Sequence, residues 1–245
     1  MTKTDRADRL LVALGHYPSR AAAQAAIAEG RVTVNGAKLA KASAKISETD
    51  RIEAEALHPW VSRGGIKLAH ALEVFGVDPA GRVCLDIGAS TGGFTDVLLQ
   101  AGAAHVYAVD VGQGQLHERL AGTPQISSLE GMDARQLSRK EIDRAPGLLV
   151  CDASFISLEK LLAVPLSLAE ERADLVCLFK PQFQVGREHV GKGGIVTDPA
   201  ATQRAEEAFC AWLGEQGWRV MARADSPISG GDGNAERLVH ACRTT

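Results

Sequence analysis

Residues 82–96 read RVCLDIGASTGGFTD. An apolar run leads into a turn holding Gly88, Gly92 and Gly93, and the chain resumes helical spacing in FTDVLLQAG, residues 94–102. A strand that ends in glycines and opens a helix reads as a ligand-binding βα unit. Glycine permits the tight turn and lets backbone come close to a ligand. The turn is not a full GxGxxG, and no Gly-Lys-Ser/Thr follows it, which disfavours a dinucleotide pyrophosphate and a P-loop phosphate.

Working outward, strand-like runs recur at HVYAVDVG (105–112), GLLVCDASF (147–155) and DLVCLFKPQF (174–183). Helical stretches fall around 157–171 and 200–216, and WRVMARADSPI (218–228) and ERLVHACR (236–243) close the chain as late strands. Continuous apolar strands separated by helices predict an α/β, doubly wound, largely parallel sheet with helices on both faces. Ligands of such a sheet sit at the carboxyl ends of its strands. Asp110 ends the second strand, where a carboxylate accepts both hydroxyls of a ribose. Asp133, in GMDAR, follows the presumed third strand and is placed to meet an adenine amino group. Asp86 and the carbonyl-rich turn suit a cationic sulfonium-bearing end. Together these point to an adenosine-type cofactor, with S-adenosylmethionine suited by its cationic sulfonium, rather than to a purely structural turn.

The first 58 residues read differently. RADRLLVALG (6–15) and SRAAAQAAIAEG (19–30) have helical spacing, the second with Ser19 as N-cap. RVTVNG (31–36) alternates into an Asn-Gly hairpin turn, and DRIEAE (50–55) supplies a further strand. This small α+β unit is basic: residues 1–45 hold eight Lys/Arg and three Asp/Glu, a net of +5. Residues 69–245 hold sixteen Lys/Arg and twenty-three Asp/Glu, a net of −7. A basic end on an acidic body suits a polyanionic partner.

The whole chain, 245 residues with 45% hydrophobic and 23% charged, has the composition of an ordinary globular protein. No apolar run reaches membrane-span length and the N-terminus has no signal-peptide pattern, so neither a membrane partner nor export is expected. Five cysteines without CxxC spacing argue against a disulfide framework and a zinc site, and fit a reducing cytoplasm. His58, His70 and His117 lack paired metal spacing, and no metal is expected.

Four ionisable residues stand where chemistry belongs. Asp152 ends LLVCD, Lys180 ends VCLFK, Glu236 opens the last strand after SGGDGN, and Lys67 heads a helix after HPWVSRGGI. A charge at the end of a buried strand costs desolvation unless it is paired or used. By position alone Asp152 and Lys180 also fit an ion pair closing the core, and Lys67 and Glu236 also fit solvated positions.

WVSRGGIKL (60–68), LDIGASTGGFTD (85–96), DVGQGQL (110–116), CDASFISL (151–158), FKPQFQVG (179–186) and GNAE (233–236) stand in the order carried by the TlyA-type ribosomal RNA 2′-O-methyltransferases, also called haemolysin A-like proteins. The chain resembles that family over nearly its whole length. Its larger part is similar to the FtsJ/RrmJ class, and SRAAAQAAIAEGRVTVNG resembles an S4 RNA-binding domain. The resemblance implies a Rossmann-like class I methyltransferase sheet over residues 67–245, an S4-like domain over 1–58 and a linker over 59–66. It implies cofactor contacts from Asp86, Gly88, Ser90, Gly92, Phe94, Asp110 and Asp133. A Lys-Asp-Lys-Glu catalytic set falls on Lys67, Asp152, Lys180 and Glu236.

A ribose 2′-hydroxyl must lose its proton as it takes a methyl group, so a general base is needed. Burial and a second lysine nearby both disfavour the charged form of a lysine. On that basis Lys180 is expected as base, Lys67 as the like charge that also positions the hydroxyl, Asp152 as the orienter of Lys180, and Glu236 as the holder of Lys67. Arg6, Arg9, Arg20, Lys38 and Lys41 are expected at RNA phosphates, and Arg63 at phosphate or between the modules. The expected partner is ribosomal RNA or a ribosomal subunit, not DNA, with the large subunit favoured because the chain stops soon after its last strand, and with a monomer favoured. Competing readings are a catalytically silent RNA-binding protein and a pore-forming haemolysin. A base methyltransferase is disfavoured, because DASF replaces the NPPY-like tetrad and Cys151 alternates away from Asp152.

Overall fold

The structure is a computed structural model that describes residues 4–17, 19–55 and 58–243. The chain divides into two compact units between Pro59 and Trp60.

In the first unit a short strand β1 (Thr4–Arg6) runs into helix α1 (Ala7–Ala13), and helix α2 (Arg20–Ala28) follows. Ser19 Oγ accepts the Ala22 N–H at 3.2 Å, so the expected N-cap forms. Strands β2 (Val32–Val34) and β3 (Ala37–Lys38) make the hairpin, with Asn35 and Gly36 both at positive φ as its tight turn requires. The short strands of this unit form two small sheets. Strand β4 (Lys45–Ser47) pairs antiparallel with β1, and β5 (Ile52–Ala54) pairs with β2. The small faces of Ala23 and Ala26 let α2 approach Leu10 and Leu11 of α1, and Val32 and Ile46 complete this core.

The second unit opens with helix α3 (Gly64–Phe75), followed by β6 (Val83–Ile87), α4 (Gly93–Gln100), β7 (His105–Asp110) and β8 (Ile126–Glu130). Then come β9 (Leu148–Cys151), α5 (Leu158–Ser167), β10 (Ala173–Phe179), α6 (Pro181–Gln184), α7 (Pro199–Glu215), β11 (Arg219–Asp225) and β12 (Arg237–Arg243). The seven strands form one sheet in the order β11-β12-β10-β9-β6-β7-β8. Strands β6 to β10 pair in parallel where they touch, and β12 runs antiparallel to both β10 and β11.

Strand alternation sorts the core into two layers. Val83, Leu85 and Ile87 face Leu158, Leu162, Phe209 and Leu213 of α5 and α7. Cys84 faces Leu68, Leu72, Val97 and Leu98 of α3 and α4 on the other side. Helices therefore cover both faces, as a mainly parallel sheet demands. Among the described residues no helix is long and apolar enough to cross a membrane.

Helix α3 begins three residues earlier than the sequence suggested, so the stretch read as a linker, 59–66, contains its first turn. Gly65, inside that turn, serves close approach: a Cβ there would lie 2.5 Å from Cγ of Trp60, whose ring packs into the α3–α4 layer. The Val61 N–H donates to Asp96 Oδ2 at 2.8 Å, which ties the segment to α4.

Gly65→Ala is therefore expected to destabilise the second unit by about 1–3 kcal/mol through overpacking. Gly64→Ala, whose Cβ would meet its neighbours at 3.4 Å or more, is expected to be neutral or stabilising, as helical Gly→Ala usually is. Thermal melts of the two variants side by side check this, and equal midpoints would refute the packing account.

Candidate active site

The order of strands reverses between β6 and β9, and the loops after these two strands leave in different directions. A crevice opens there by construction. A cavity of about 470 Å³ occupies it, within the range of small-molecule sites. Gly88, at φ +81°, brings the turn after β6 against the loop after β9; a Cβ there would lie 3.1 Å from Cα of Ala153. Ser90, also in the left-handed region at φ +47°, aims its N–H at Asp110 Oδ2 (2.8 Å), while the Gly112 N–H reaches Oδ1 (2.7 Å). The Asp110 carboxylate is thus fixed at the end of β7 with lone pairs left over for the hydroxyls of a ribose. Ser90 Oγ donates to Gln115 Oε1 at 3.0 Å, and Glu130 accepts the Gln115 N–H at 2.6 Å and the Leu116 N–H at 3.1 Å. Those backbone donors hold the Glu130 carboxyl below its ordinary range. Asp133 also lines the cavity, gripped by the Arg135 guanidinium at 2.6 to 3.1 Å, which keeps its carboxyl low. A polar rim with a fixed carboxylate and apolar walls from Val109, Met132 and Ile156 fits an adenosyl group.

Of the seven residues expected at the cofactor, Gly88, Ser90, Asp110 and Asp133 line this cavity. Asp86, Gly92 and Phe94 do not; they build the turn from beneath. Phe94 is buried against the α3–α4 layer, and Gly92 leaves room for Leu116 and Leu120. Asp86 is fully buried, with Thr95 Oγ1 donating to its Oδ2 at 2.6 Å and no hydrogen-bond partner for Oδ1 among the described residues. Burial, with like charge from Asp152 and Asp110, pushes its carboxyl up to about 7 against the pull of Thr95.

The four charged residues lie at the same edge of the sheet. Asp152 follows β9 and Lys180 follows β10, both at carboxyl ends. Strand β12 runs the other way, and its Arg237 pairs with Phe179, so Glu236 and Lys180 are the next positions outward on adjacent strands. Lys180 Nζ stands 2.5 Å from Asp152 Oδ1 and donates to Ser154 Oγ at 3.0 Å and the Asp152 carbonyl at 3.4 Å. Lys67 Nζ donates to Glu236 Oε2 at 2.5 Å. One turn earlier on α3, Gly64 sits beside Asp152, and a Cβ there would lie 3.7 Å from Asp152 Oδ2. Both lysines are more than nine-tenths buried. Each has its own carboxylate, so the positive charge of Lys67 that the sequence reading set against Lys180 is offset by Glu236. Cys151 is fully buried on the opposite face, its thiol pushed up to about 12 by burial.

Sequence reasoning missed Ser154, two residues past Asp152 in DASF, and it missed Phe155. Phe155 holds φ +67°, is 91% exposed at the cavity rim, and lies 5.1 Å from Phe183 between ring centroids. No periodicity signals either residue; only the strained turn does.

In the first unit the expected RNA-binding residues fall into two groups. Arg6 and Arg20 both hold the fully buried Asp8, at 3.0 and 2.9 Å, and Gln24 joins them at 2.7 Å. The Arg6 hydrogen bond is the main reason that the Asp8 carboxyl lies far below its ordinary range. Arg9, Lys38 and Lys41 are exposed, as is Arg63 at the start of α3 in the second unit.

Residues 60–243 match the FtsJ-like methyltransferase family, and residues 5–52 match the S4 domain. The chain is 43% identical over 241 residues to the 16S/23S rRNA (cytidine-2′-O)-methyltransferase TlyA of Mycobacterium tuberculosis, covering 98% of this chain and 90% of that one. It is 39% identical to Hemolysin A of Brachyspira hyodysenteriae, covering 96% and 98%. A solved Streptococcus thermophilus structure assigned to the hemolysins superposes with a TM-score of 0.77 at 36% identity, covering 100% of this chain and 90% of that one.

Asp86 yields a pH prediction. An unfolded carboxyl titrates at about 4. Between there and about 7 the folded protein keeps a proton that the unfolded chain has lost, so this stabilising contribution is full at low pH and is lost as pH rises through about 7. Asn mimics the protonated acid. Asp86→Asn is therefore expected to gain stability relative to the parent protein as pH is raised from about 4 to about 8. Denaturant unfolding across that range checks it, and a constant difference would contradict the assignment.

Proposed function

The chain belongs to the FtsJ-like methyltransferase family and carries an S4 domain ahead of that fold, and we propose that it methylates the 2′-hydroxyl of a cytidine ribose in ribosomal RNA with S-adenosylmethionine as donor. The observation that carries the reading is the pair of lysine–carboxylate contacts, Lys180–Asp152 and Lys67–Glu236, gathered at the sheet edge where Asp152 lines a cavity suited to an adenosyl group.

Asp110 would hold the ribose of the cofactor, and Asp133 together with the apolar walls would take the adenine. When bound, the cofactor supplies a methyl group on a cationic sulfur; as the S–CH₃ bond breaks and an O–CH₃ bond forms, the hydroxyl proton must leave the substrate. Lys180 Nζ, in its amine form, takes that proton. Asp152 and Ser154, which line the cavity, fix the nitrogen beside it. Lys67 positions the hydroxyl oxygen, and Glu236 holds Lys67 through a buried ion pair whose loss would strand a charge.

The Mycobacterium tuberculosis relative is named for both 16S and 23S rRNA, and a Campylobacter jejuni relative, 37% identical and covering 74% of this chain and 70% of that one, for 23S rRNA. Large-subunit RNA is common to both names and is the substrate proposed here, in the cytoplasm where ribosomes mature. Arg9, Lys38 and Lys41 are exposed and suit RNA phosphates directly, whereas Arg6 and Arg20 reach phosphate with a guanidinium already oriented by Asp8.

The test is transfer of labelled methyl from S-adenosylmethionine to large-subunit RNA lacking the modification, with Lys180→Ala beside the parent protein and cofactor affinity as the control for folding. Label at a ribose 2′-oxygen in the parent, lost in the variant at unchanged affinity, is expected. Undiminished transfer by the variant would discard Lys180 as the base. Strain in a bulky residue marks a functional position, and a bare aromatic face suits an unstacked nucleobase. Phe155→Ala is accordingly expected to lower methylation by roughly tenfold or more, given base–aromatic stacking of about 1–3 kcal/mol, with cofactor affinity unchanged. Equal losses in both would show that Phe155 serves the cofactor pocket instead.

A further inference from the structure

Asn234 lies two residues before Glu236 and is 2% exposed. Every polar group it owns is engaged. Its side-chain Oδ1 accepts the Val196 N–H at 2.9 Å, and its Nδ2 donates to the Gly194 carbonyl at 2.9 Å. Its backbone N–H donates to Asp232 Oδ1 at 3.1 Å, and its carbonyl accepts the Gly230 N–H at 2.9 Å. The other oxygen of Asp232 accepts from Gln182 Nε2 at 2.8 Å, and Gln182 lies two residues past Lys180.

Residues 230–236 thus form one turn that grips the chain after Lys180 at two points, through α6 and through the segment 194–196. The Glu236 carboxylate rests on this turn. A Cβ on Gly230 would lie 2.8 Å from Glu236 Oε1, while Oε2 faces Lys67. A stretch containing Gly230, Gly231 and Gly233 has high conformational entropy, and its one apolar side chain, Ala235, is exposed and anchors nothing. Asn is the side chain that supplies, at one short reach, the acceptor for Val196 and the donor for Gly194. Asp lacks the donor and Ala lacks both.

We infer that Asn234 is a positioning residue for methyl transfer: by pinning the 230–236 turn to the segment after Lys180, it holds Glu236, and through it Lys67, in register with the Lys180–Asp152 pair. The inference rests on the proposed roles of those two pairs. It adds the element that couples them, because each pair by itself bridges different parts of the fold.

The test is a double-mutant cycle on Asn234→Ala and Glu236→Gln, read as single-turnover methylation of large-subunit RNA, with S-adenosylhomocysteine affinity and thermal midpoint measured on every protein. Asn234→Ala is expected to slow transfer by roughly tenfold to a hundredfold with affinity little changed, as misplacement of a reacting group does. In the Glu236→Gln background the same substitution is expected to cost less than about twofold, because residues that act through one another are not additive. Asn234→Asp, which keeps the acceptor for Val196, should retain more activity than Asn234→Ala and covers the case in which the alanine variant folds poorly. Losses that multiply, or an affinity loss that matches the rate loss, would overturn the inference alone. Glu236→Gln at the parent rate would overturn the reading of the Lys67–Glu236 pair and the inference with it.

Discussion

The reversal of strand order between β6 and β9 is the constraint on which the rest of the second unit depends. Two parallel strands side by side, each leading away from the other, leave a gap that their own connections cannot fill. The glycine turn, the Asp110 carboxylate and the loop carrying Asp152, Ser154 and Phe155 all meet at that gap. The single antiparallel strand β12 adds what a purely parallel sheet cannot. Its first residue arrives where the other strands end, and it delivers Glu236 from a distant part of the chain.

Gathering charge at one edge of an apolar sheet has a desolvation cost, and pairing answers it. Lys180 and Lys67 are each matched by a carboxylate at 2.5 Å. Truncating one partner of a buried pair typically costs about 3–5 kcal/mol, because the charge left behind is uncompensated. Asp86 resolves the same problem differently. Lacking a cation, it sits under the turn with a raised carboxyl and a single strong donor in Thr95. One site thus contains two answers to buried charge: pairing with an opposite charge for the two lysines, and a carboxyl raised by burial for Asp86. The first unit offers a third, in which Asp8 is wholly buried because two arginines and an amide surround it.

Much of this was legible in order along the chain. The β6–turn–α4 unit, the Ser19 cap and the Asn35-Gly36 hairpin each carry their own local signal, since glycine, cap and turn chemistry act over a few residues. Asp110, Asp152 and Lys180 could be picked out because a charge ending an apolar run is conspicuous. The start of α3 was misplaced because Gly64 and Gly65 read as breakers, and only the packing of Trp60 shows why the helix tolerates them. The β1–β4 pairing was hidden because three-residue strands have no period to read.

By itself the sequence determined the α/β class, the basic leading unit, the glycine turn and the identities of the four charged residues, because these follow from local pattern and from which side chains can ionise. Tertiary structure alone decided who pairs with whom. Lys67 and Glu236 lie 169 positions apart, and their contact exists only because α3 and the antiparallel β12 converge on one edge of the sheet. The same holds for the burial of Asp86 and Phe94 beneath the turn, and for the exposure of Phe155. Burial and direction are properties of the assembled layers, and no local run of residues encodes them.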